Sequence, residues 1–186
     1  MNKKILLIIA VVASAALTAR ANLVANPGFE TGTFSSWTQF GDTSFTAVSD
    51  SSFGHSPHSG TFEAHFGPTS SFGGIDQTLA TSPGAYTIDF WLSNDDQFAN
   101  NGFYVSFNGT TLFTLTNAPA FDYTHYTFTG TATGSSTVLE FGFYNPPAYY
   151  YLDDVGVNAV PEPGTLGLIG LGALGLVGAL RKRLLV

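Results

Sequence analysis

The sequence predicts an all-β chain that folds as an antiparallel β-sandwich, and three observations carry this prediction. Apolar and polar residues alternate with a period of two in several short segments, most clearly over residues 85–94, and this period is typical of half-buried strands. Turn-forming residues separate these segments. No window shows the sustained 3.6-residue period of an amphipathic helix, while 17 Phe, 8 Tyr and 2 Trp residues supply a large core.

Nine strands are predicted in chain order, each followed by polar or glycine-containing residues. They are residues 44–49, 61–66, 75–80, 85–94, 103–108, 111–115, 125–133, 138–144 and 149–157. Asn108 and Gly109 form the strongest hairpin signal, because both residues tolerate a positive φ angle. We expect a jelly-roll topology, although an immunoglobulin-like order of the same strands fits the pattern equally well.

The N-terminus has the pattern of a secretory signal peptide over residues 1–21. Two lysines precede an apolar run over residues 5–17, and Ala19-Arg20-Ala21 is a small-x-small cleavage site. The apolar run is shorter than the ~17 to 25 residues that a membrane span needs, which disfavours the alternative of an uncleaved anchor. The mature chain is therefore expected to begin at Asn22.

A second apolar segment, residues 164–180, precedes a basic cluster at the C-terminus. As a helix this segment measures about 25 Å, close to the ~30 Å of a bilayer core, so a single transmembrane helix is predicted. Positive charge stays on the cytoplasmic side, which places residues 22–160 outside the membrane and the C-terminus in the cytoplasm. The cluster that sets this orientation is Arg181, Lys182 and Arg183.

Pro161, Glu162 and Pro163 stand immediately before this segment. A Pro-Glu-Pro motif, an apolar helix and a terminal basic cluster, in this order, resemble the PEP-CTERM sorting signal of exported bacterial proteins, here over residues 161–186. The resemblance implies that an exosortase, a membrane transpeptidase or protease, recognises the three motif residues and delivers the protein to the cell envelope or extracellular matrix. It also implies an association with exopolysaccharide or biofilm. The alternative is a plain proline stop between domain and anchor.

The segment between the two ends is strongly acidic. All six basic residues lie near the chain ends and none lies between Asn22 and Pro163, whereas all 13 carboxylates fall inside that stretch. Nucleic-acid binding is excluded, because its affinity comes largely from Lys and Arg on phosphates. The chain has no cysteine, which also excludes a disulfide, a thiolate metal site and a cysteine nucleophile. Divalent cations and neutral sugars remain as ligand classes.

Both ends of this domain resemble carbohydrate-binding modules of the galactose-binding-like jelly-roll type. The resemblance is carried by residues 22–30, Asn-Leu-Val-Ala-Asn-Pro-Gly-Phe-Glu, with Trp37 following, and by residues 151–157, Tyr-Leu-Asp-Asp-Val-Gly-Val. It implies that the two ends lie side by side and that a structural calcium is held by Glu30 and by Asp153 or Asp154. Calcium takes carboxylate and carbonyl oxygens. The alternative is that the adjacent acids only solubilise an edge strand.

Sugar binding needs an exposed aromatic ring with polar groups beside it. Trp91 is the first candidate, because it shares a strand face with Asp89, and Tyr104 and Trp37 are further candidates. Trp37 has a second interpretation as a core residue. Two tyrosines, Tyr149 and Tyr150, complete the set.

The sequence predicts a binding role and no enzyme activity. No spacing singles out a pair of carboxylates for glycoside hydrolysis, and no Gly-x-Ser-x-Gly elbow is present. His55, His58 and His65 lack metal-ligand spacing and are interpreted as loop histidines. The function predicted is a surface protein that binds a glycan. The alternatives are a purely structural surface protein without a small ligand and, with less support, a glycoside hydrolase.

Overall fold

Ten β-strands and one short 3-10 turn account for the regular structure between Thr38 and Ala159. The strands are β1 (Thr38–Gly41), β2 (Thr46–Asp50), β3 (Phe62–Phe66), β4 (Gly73–Ala80), β5 (Gly84–Asn94), β6 (Gly102–Phe107), β7 (Thr110–Thr116), β8 (Phe121–Ala132), β9 (Ser136–Tyr144) and β10 (Tyr150–Ala159). Nine of them coincide with the predicted strands. The tenth, β1, was not predicted, because it has four mostly exposed residues and no alternation.

The structure, a computed structural model, describes residues 21–95, 100–161 and 172. Residues Asn22–Ala159 form one compact unit. Among the described residues, no helix is long and apolar enough to cross a membrane. Several predicted features lie outside the described residues: the signal peptide before Ala21, all of the membrane helix but Gly172, and Glu162, Pro163, Arg181, Lys182 and Arg183.

The strands form two antiparallel five-stranded sheets. Sheet I has the order β1-β4-β9-β6-β7, and sheet II has the order β2-β3-β10-β5-β8. Most connections cross from one sheet to the other, so neighbours within a sheet are distant in sequence. The predicted fold class, an all-β antiparallel sandwich, is confirmed.

Aromatic residues from both sheets fill the space between them. Phe66 of sheet II stacks on Phe143 of sheet I with ring centroids 3.9 Å apart, and Phe90 meets Phe141 edge to face at 5.1 Å. Trp37 also belongs to this core: it is only 7% exposed and its ring stacks with Phe29 at 5.9 Å. Trp37 is therefore not presented to a ligand, in agreement with its second interpretation.

The Asn108–Gly109 hairpin joins β6 to β7 as predicted. Both residues have positive φ angles, 55° and 72°, as a two-residue primed turn requires. The turn fixes β6 in register, and β6 places Tyr104 opposite Gly142 of β9. This register positions the candidate site described below.

The opening segment runs beside the last strand, as the resemblance to carbohydrate-binding modules implies. The Leu23 amide donates to the Val157 carbonyl and the Val155 amide to the Pro27 carbonyl, each at 3.0 Å. Asn22 adds side-chain hydrogen bonds to the Val155 carbonyl and the Val157 amide at 2.8 and 2.9 Å. The two ends of the domain are thereby held together and Gly28 is brought next to Asp153.

Candidate functional site

The outward face of sheet I lacks side chains at its centre. Gly74 of β4 and Gly142 of β9 are direct cross-strand partners, with Phe40 of β1 opposite Gly74 and Tyr104 of β6 opposite Gly142. Glycine inside a strand often marks a place where another group approaches the backbone closely. Here the approaching groups are aromatic rings.

Three rings lie over three glycines of this face. A Cβ atom at residue 142 would collide with the Tyr104 ring, one at residue 102 would lie 2.5 Å from Phe72 Cζ, and one at residue 74 would lie 2.9 Å from Phe40 Cζ. Phe72 is 44% exposed, and its ring centroid lies 5.7 Å from that of Tyr104 and 5.9 Å from that of Tyr144. We call Phe40, Phe72, Tyr104 and Tyr144 the aromatic platform.

Two carboxylates border the aromatic platform. Asp76 of β4 and Glu140 of β9 are cross-strand partners, and the Tyr104 hydroxyl donates to Glu140 Oε1 at 2.7 Å. Partial burial, and then the charge of Glu140, raise the pKa of Asp76 above its ordinary value. Burial and the hydrogen bond to Glu140 also raise the pKa of Tyr104, so its hydroxyl remains a donor. The site thus joins flat apolar rings to acidic acceptors, which is the combination that a sugar ring requires.

The outward face of sheet II has a different character, because a loop covers it. Residues 51–60, here named the histidine loop, lay three rings on rings of the sheet: Phe53 on His65 at 4.1 Å, His55 on Tyr151 at 3.7 Å and His58 on Trp91 at 3.7 Å. Hydrogen bonds between imidazole and carboxylate hold the same loop: His55 Nδ1 lies 2.8 Å from Glu63 Oε2, and His58 Nδ1 lies 2.7 Å from Asp154 Oδ2.

Trp91 and Asp89 share this face, as the alternation of β5 predicts, and both are partly exposed and partly covered by neighbouring rings. The His125 ring also stacks with Trp91, with centroids 4.9 Å apart, and its Nε2 lies 3.7 Å from Asp89 Oδ2. The four predicted sugar-binding residues therefore do not form one site. Tyr104 lies on sheet I, Trp91 and Asp89 lie on sheet II, and Trp37 lies in the core.

A chain of hydrogen bonds beneath the histidine loop has the order of a serine, histidine and acid relay. Ser93 Oγ lies 3.3 Å from His55 Nε2, and His55 Nδ1 lies 2.8 Å from Glu63 Oε2, which also accepts from the Tyr123 hydroxyl at 2.6 Å. Ser93 is only 1% exposed and Glu63 is fully buried. A nucleophile must reach its substrate, so in this geometry the chain serves to fasten the loop to the sheet.

Of the two remaining tyrosine candidates, one is accessible. Tyr150 is fully buried, whereas Tyr149 lines a pocket of ≈ 140 Å³ with Phe45, Pro147 and other residues at one end of the sandwich. Phe45 is 61% exposed and has a φ angle of 54°, a backbone conformation that bulky side chains rarely adopt. The pocket has few polar groups to orient a ligand.

The three acids that the resemblance assigns to calcium approach one another at Gly28. A Cβ atom on Gly28 would lie 3.3 Å from Asp154 Oδ1, 3.4 Å from Asp153 Oδ1 and 3.8 Å from Glu30 Cγ. The Glu30 carboxylate turns toward the backbone and accepts from the amides of Thr61 and Phe62 at 3.0 to 3.1 Å. The adjacent ends of the domain thus bring the carboxylates of Asp153 and Asp154 together, whereas the Glu30 carboxylate lies beside Gly60.

A metal-compatible set within the described residues is His58, Asp153 and Asp154, whose ligand atoms lie within 4.8 Å of one another. Asp153 is fully buried, and this burial raises the pKa of its carboxyl to about 7. Two adjacent carboxylates with loop carbonyls nearby fit the oxygen preference of calcium. The imidazole of His58 is a poorer donor for calcium, and its Nδ1 is already engaged by Asp154.

Sequence reasoning missed most of the aromatic platform. Phe40, Phe72, Tyr144, Asp76 and Glu140 were not candidates, because the order of strands that brings them together was unknown. One signal was available: Gly142 and Gly74 take outward positions in segments that otherwise alternate cleanly. An outward glycine in a strand indicates close approach by another group.

The sequence matches the model of one protein family over part of its length. Residues 159–183 match the PEP-CTERM protein-sorting motif. The chain therefore carries the sorting motif that its Pro-Glu-Pro tripeptide indicates, which marks it as an exported, sorted surface protein. No curated protein matches the sequence.

Solved structures with the same fold include carbohydrate-binding modules and adhesin domains. The module TmCBM61, solved in complex with β-1,4-galactotriose, superposes with a TM-score of 0.58 at 21% identity and covers 75% of this chain and 99% of its own. The CBM22-1 xylan-binding domain of Paenibacillus barcinonensis Xyn10C gives 0.54 at 17% identity, covering 78% and 98%. The K3 adhesin domain of Lys-gingipain from Porphyromonas gingivalis gives 0.57 at 18% identity, covering 75% and 98%. At these identities the likeness shows the fold alone, and it confirms the expected jelly roll.

His65 is expected to make the domain sensitive to acid. Its ring is 5% exposed, and burial lowers its pKa below the ordinary 6.5, with the charge of Glu63 opposing in part. The unfolded chain therefore takes up the proton first, so the contribution of His65 to the free energy of unfolding should fall as the pH drops below 6.5. The buried Asp153 carboxyl, whose pKa is raised to about 7, contributes in the opposite direction as the pH falls below 7, so the effect of His65 is measured as a difference between variants. Urea unfolding between about pH 5 and 8 measures this slope.

The variant His65→Phe keeps the stack on Phe53 and removes the titrating nitrogens. Relative to the unchanged chain, the variant's free energy of unfolding should fall less, or rise more, on acidification, whatever its stability at neutral pH. His125→Phe is the matched control, because the His125 side chain is 46% exposed on the same face. An unchanged acid slope in His65→Phe would contradict the assignment to His65.

Proposed function

We propose that this chain is an exosortase-sorted protein of the cell envelope or extracellular matrix whose jelly-roll domain binds a polysaccharide at the aromatic platform. The observation that carries the proposal is the seating of three rings over Gly74, Gly102 and Gly142. Each ring lies against the sheet at a glycine, and the part of the ring that is turned away from the sheet is available to stack on the apolar face of a pyranose. The solved modules with this fold, including one bound to a galactan oligosaccharide, support the same class of ligand.

Polar groups beside the rings orient the bound sugar. Asp76 and Glu140 accept hydrogen bonds from sugar hydroxyls at the edge of the platform, and Tyr104 combines a stacking ring with a hydroxyl. Among the described residues, no cationic side chain belongs to the platform, because they include no Lys or Arg. His65 and His125 belong to sheet II, and His55 and His58 lie in the histidine loop that covers it. Anionic polysaccharides are therefore disfavoured.

We propose a binding role in preference to a glycosidase. Hydrolysis needs two carboxyl groups that flank the glycosidic bond. Asp76 and Glu140 project side by side from neighbouring strands on the same side of a ligand, and Glu140 is engaged by Tyr104. A purely structural surface protein without a small ligand remains the alternative, and saccharide binding discriminates between the two.

The sorting motif and the two apolar ends define the proposed route. An N-terminal signal peptide directs export, and a C-terminal helix holds the chain in the membrane with its basic end in the cytoplasm. An exosortase-type enzyme then acts near Pro161, Glu162 and Pro163 and releases the domain to the cell surface or matrix. We propose an association with exopolysaccharide or biofilm, which the sorting motif at residues 159–183 supports.

We further propose a structural calcium at Asp153, Asp154 and Glu30. Asp153, Asp154 and Glu30 would supply oxygen ligands from β10 and the opening segment, and the charge of the ion would offset these carboxylates, which have no Lys or Arg partner among the described residues. Its role would be stability of the two ends, since the site lies apart from sheet I and the platform.

Retention on insoluble or gel-bound polysaccharides tests the proposed binding. The full chain should be retained on at least one neutral polysaccharide, and Tyr104→Ala and Phe72→Ala should each lower the affinity about tenfold, because each removes one ring that contacts the apolar face of a sugar; a tenfold loss corresponds to about 1.4 kcal/mol. Affinity electrophoresis provides the measurement.

Two matched variants locate the site. Phe45→Ala removes a more exposed ring at the end of the sandwich and should leave retention unchanged. Trp91→Ala should also leave it unchanged, because Trp91 lies beneath the histidine loop. If no polysaccharide retains the chain, or if Trp91→Ala alone abolishes retention, the platform is not the binding site.

Calcium should stabilise the domain, with thermal unfolding as the measurement. At a calcium concentration of about 100 times Kd the stabilisation is about 2.7 kcal/mol. Asp153→Asn and Glu30→Gln should remove it, whereas His58→Gln should retain it. Stabilisation by zinc in preference to calcium, lost in His58→Gln, would contradict the oxygen-ligand assignment.

Mass spectrometry of the protein from its native host tests the sorting proposal. The mature chain should begin at Asn22 and lack the segment beyond the Pro-Glu-Pro motif. Glu162→Ala should leave the tail attached, whereas Val160→Ala, at the residue before the motif, should be processed normally. A mature protein that retains both ends would overturn the proposed route.

A further inference from the structure

The carboxylates of this domain have no Lys or Arg partner among the described residues, and this lack is clearest at Asp76 and Glu140 beside the aromatic platform. All three ion pairs among the described residues join a histidine to an acid on sheet II or its loop, and none involves Asp76 or Glu140. Lys and Arg are absent from residues 22–163. Two neighbouring carboxylates therefore meet solvent on the outward face of sheet I without a counter-charge from the described chain.

This arrangement disfavours the ionised form of Asp76. Its side chain is half-buried beside Glu140, and partial burial together with the neighbouring charge disfavours its ionised form. A cation placed between the two carboxylates would relieve both effects. Among the described residues, the basic groups that face a sheet are the histidines of sheet II and of its loop, so a ligand is the source of such a cation that we consider.

The geometry of the platform decides which cation fits. Tyr104 covers Gly142, and its hydroxyl contacts Glu140, so a pyranose stacked on Tyr104 has its polar edge beside Glu140 and Asp76. An amino group carried on that edge would donate charge-assisted hydrogen bonds to the carboxylates. A neutral hydroxyl makes weaker bonds there, and a uronic acid or sulfate is repelled.

We propose that the aromatic platform selects polysaccharides that carry free amino groups, such as de-N-acetylated amino-sugar polymers, over neutral and anionic ones. This inference rests on the proposed function and names the ligand class of the same site. Its structural basis is the adjacency of stacked rings to the pair Asp76 and Glu140.

The test compares two ligands that share a backbone and differ only in charge. The full chain is titrated with a β-1,4-linked glucosamine oligosaccharide and with the N-acetylglucosamine oligosaccharide of the same length, in mildly acidic buffer at low salt. We expect the amino form to bind about tenfold more tightly, and the preference to shrink as salt is added. A polygalacturonate fragment of the same length should bind more weakly than both.

Asp76→Asn and Glu140→Gln should each reduce the preference for the amino form about threefold, since a half-exposed ion pair contributes ~0.2–1 kcal/mol. Asp122→Asn removes the same charge from an exposed position on β8 and is the matched control; it should leave the preference unchanged. Tyr104→Ala should weaken both oligosaccharides.

The outcomes separate this inference from the proposed function. Equal binding of the two oligosaccharides, both weakened by Tyr104→Ala, would refute the amino-sugar preference and leave the platform as a glycan site. A preference that Asp122→Asn reduces as much as Asp76→Asn would also refute it, because the effect would then reflect net charge alone. Binding of neither oligosaccharide, combined with no retention on any polysaccharide, would refute both.

Discussion

The absence of Lys and Arg between Asn22 and Pro163 is the constraint on which the structure depends. Each carboxylate has to be satisfied by hydrogen bonds from other groups. Asp42 accepts from Ser44, Thr69 and Ser70, and Glu30 accepts from backbone amides. Glu63, fully buried, accepts from a tyrosine hydroxyl and contacts a histidine. These hydrogen bonds connect loops to strands, so the acids that accept them have a structural role. Asp76 and Glu140 differ, because no described residue gives either of them a basic partner.

The same constraint gives the two outward faces opposite roles. On sheet II, imidazole rings both stack on aromatic rings and pair with acids, so the histidine loop covers the face and leaves Trp91 half-buried. On sheet I, no described loop brings a basic group to Asp76 or Glu140. Glycines in the strands have no Cβ atom, so aromatic rings can contact the backbone of the sheet. One face is closed by its own side chains, and the other keeps flat rings beside acids that a ligand can contact.

Local patterns predicted most of the fold, and long-range pairing decided most of the site. The alternation of β5 and the Asn108–Gly109 turn are properties of adjacent residues, so the sequence alone predicts them. Trp91 was expected to be exposed because its own strand face is polar. The residue that covers it, His58, is 33 positions away, and nothing in either local sequence indicates their contact. The aromatic platform likewise depends on the order β1-β4-β9-β6, in which no two neighbours are consecutive in the chain.

If the aromatic platform binds a polysaccharide, delivery of many copies of the protein to one surface strengthens that binding. A platform of a few rings and two acids contacts only a short stretch of a polysaccharide, and such a contact is weak by itself because each ordered sugar offsets part of the energy gained by stacking. A sorting motif that delivers many copies to one surface changes this balance. Each further contact with the same polymer then forms at a high effective concentration, so many weak sites retain a polymer that a single site would release. The domain can therefore serve in cohesion without a deep pocket, and an open face of rings over glycines is sufficient for that role.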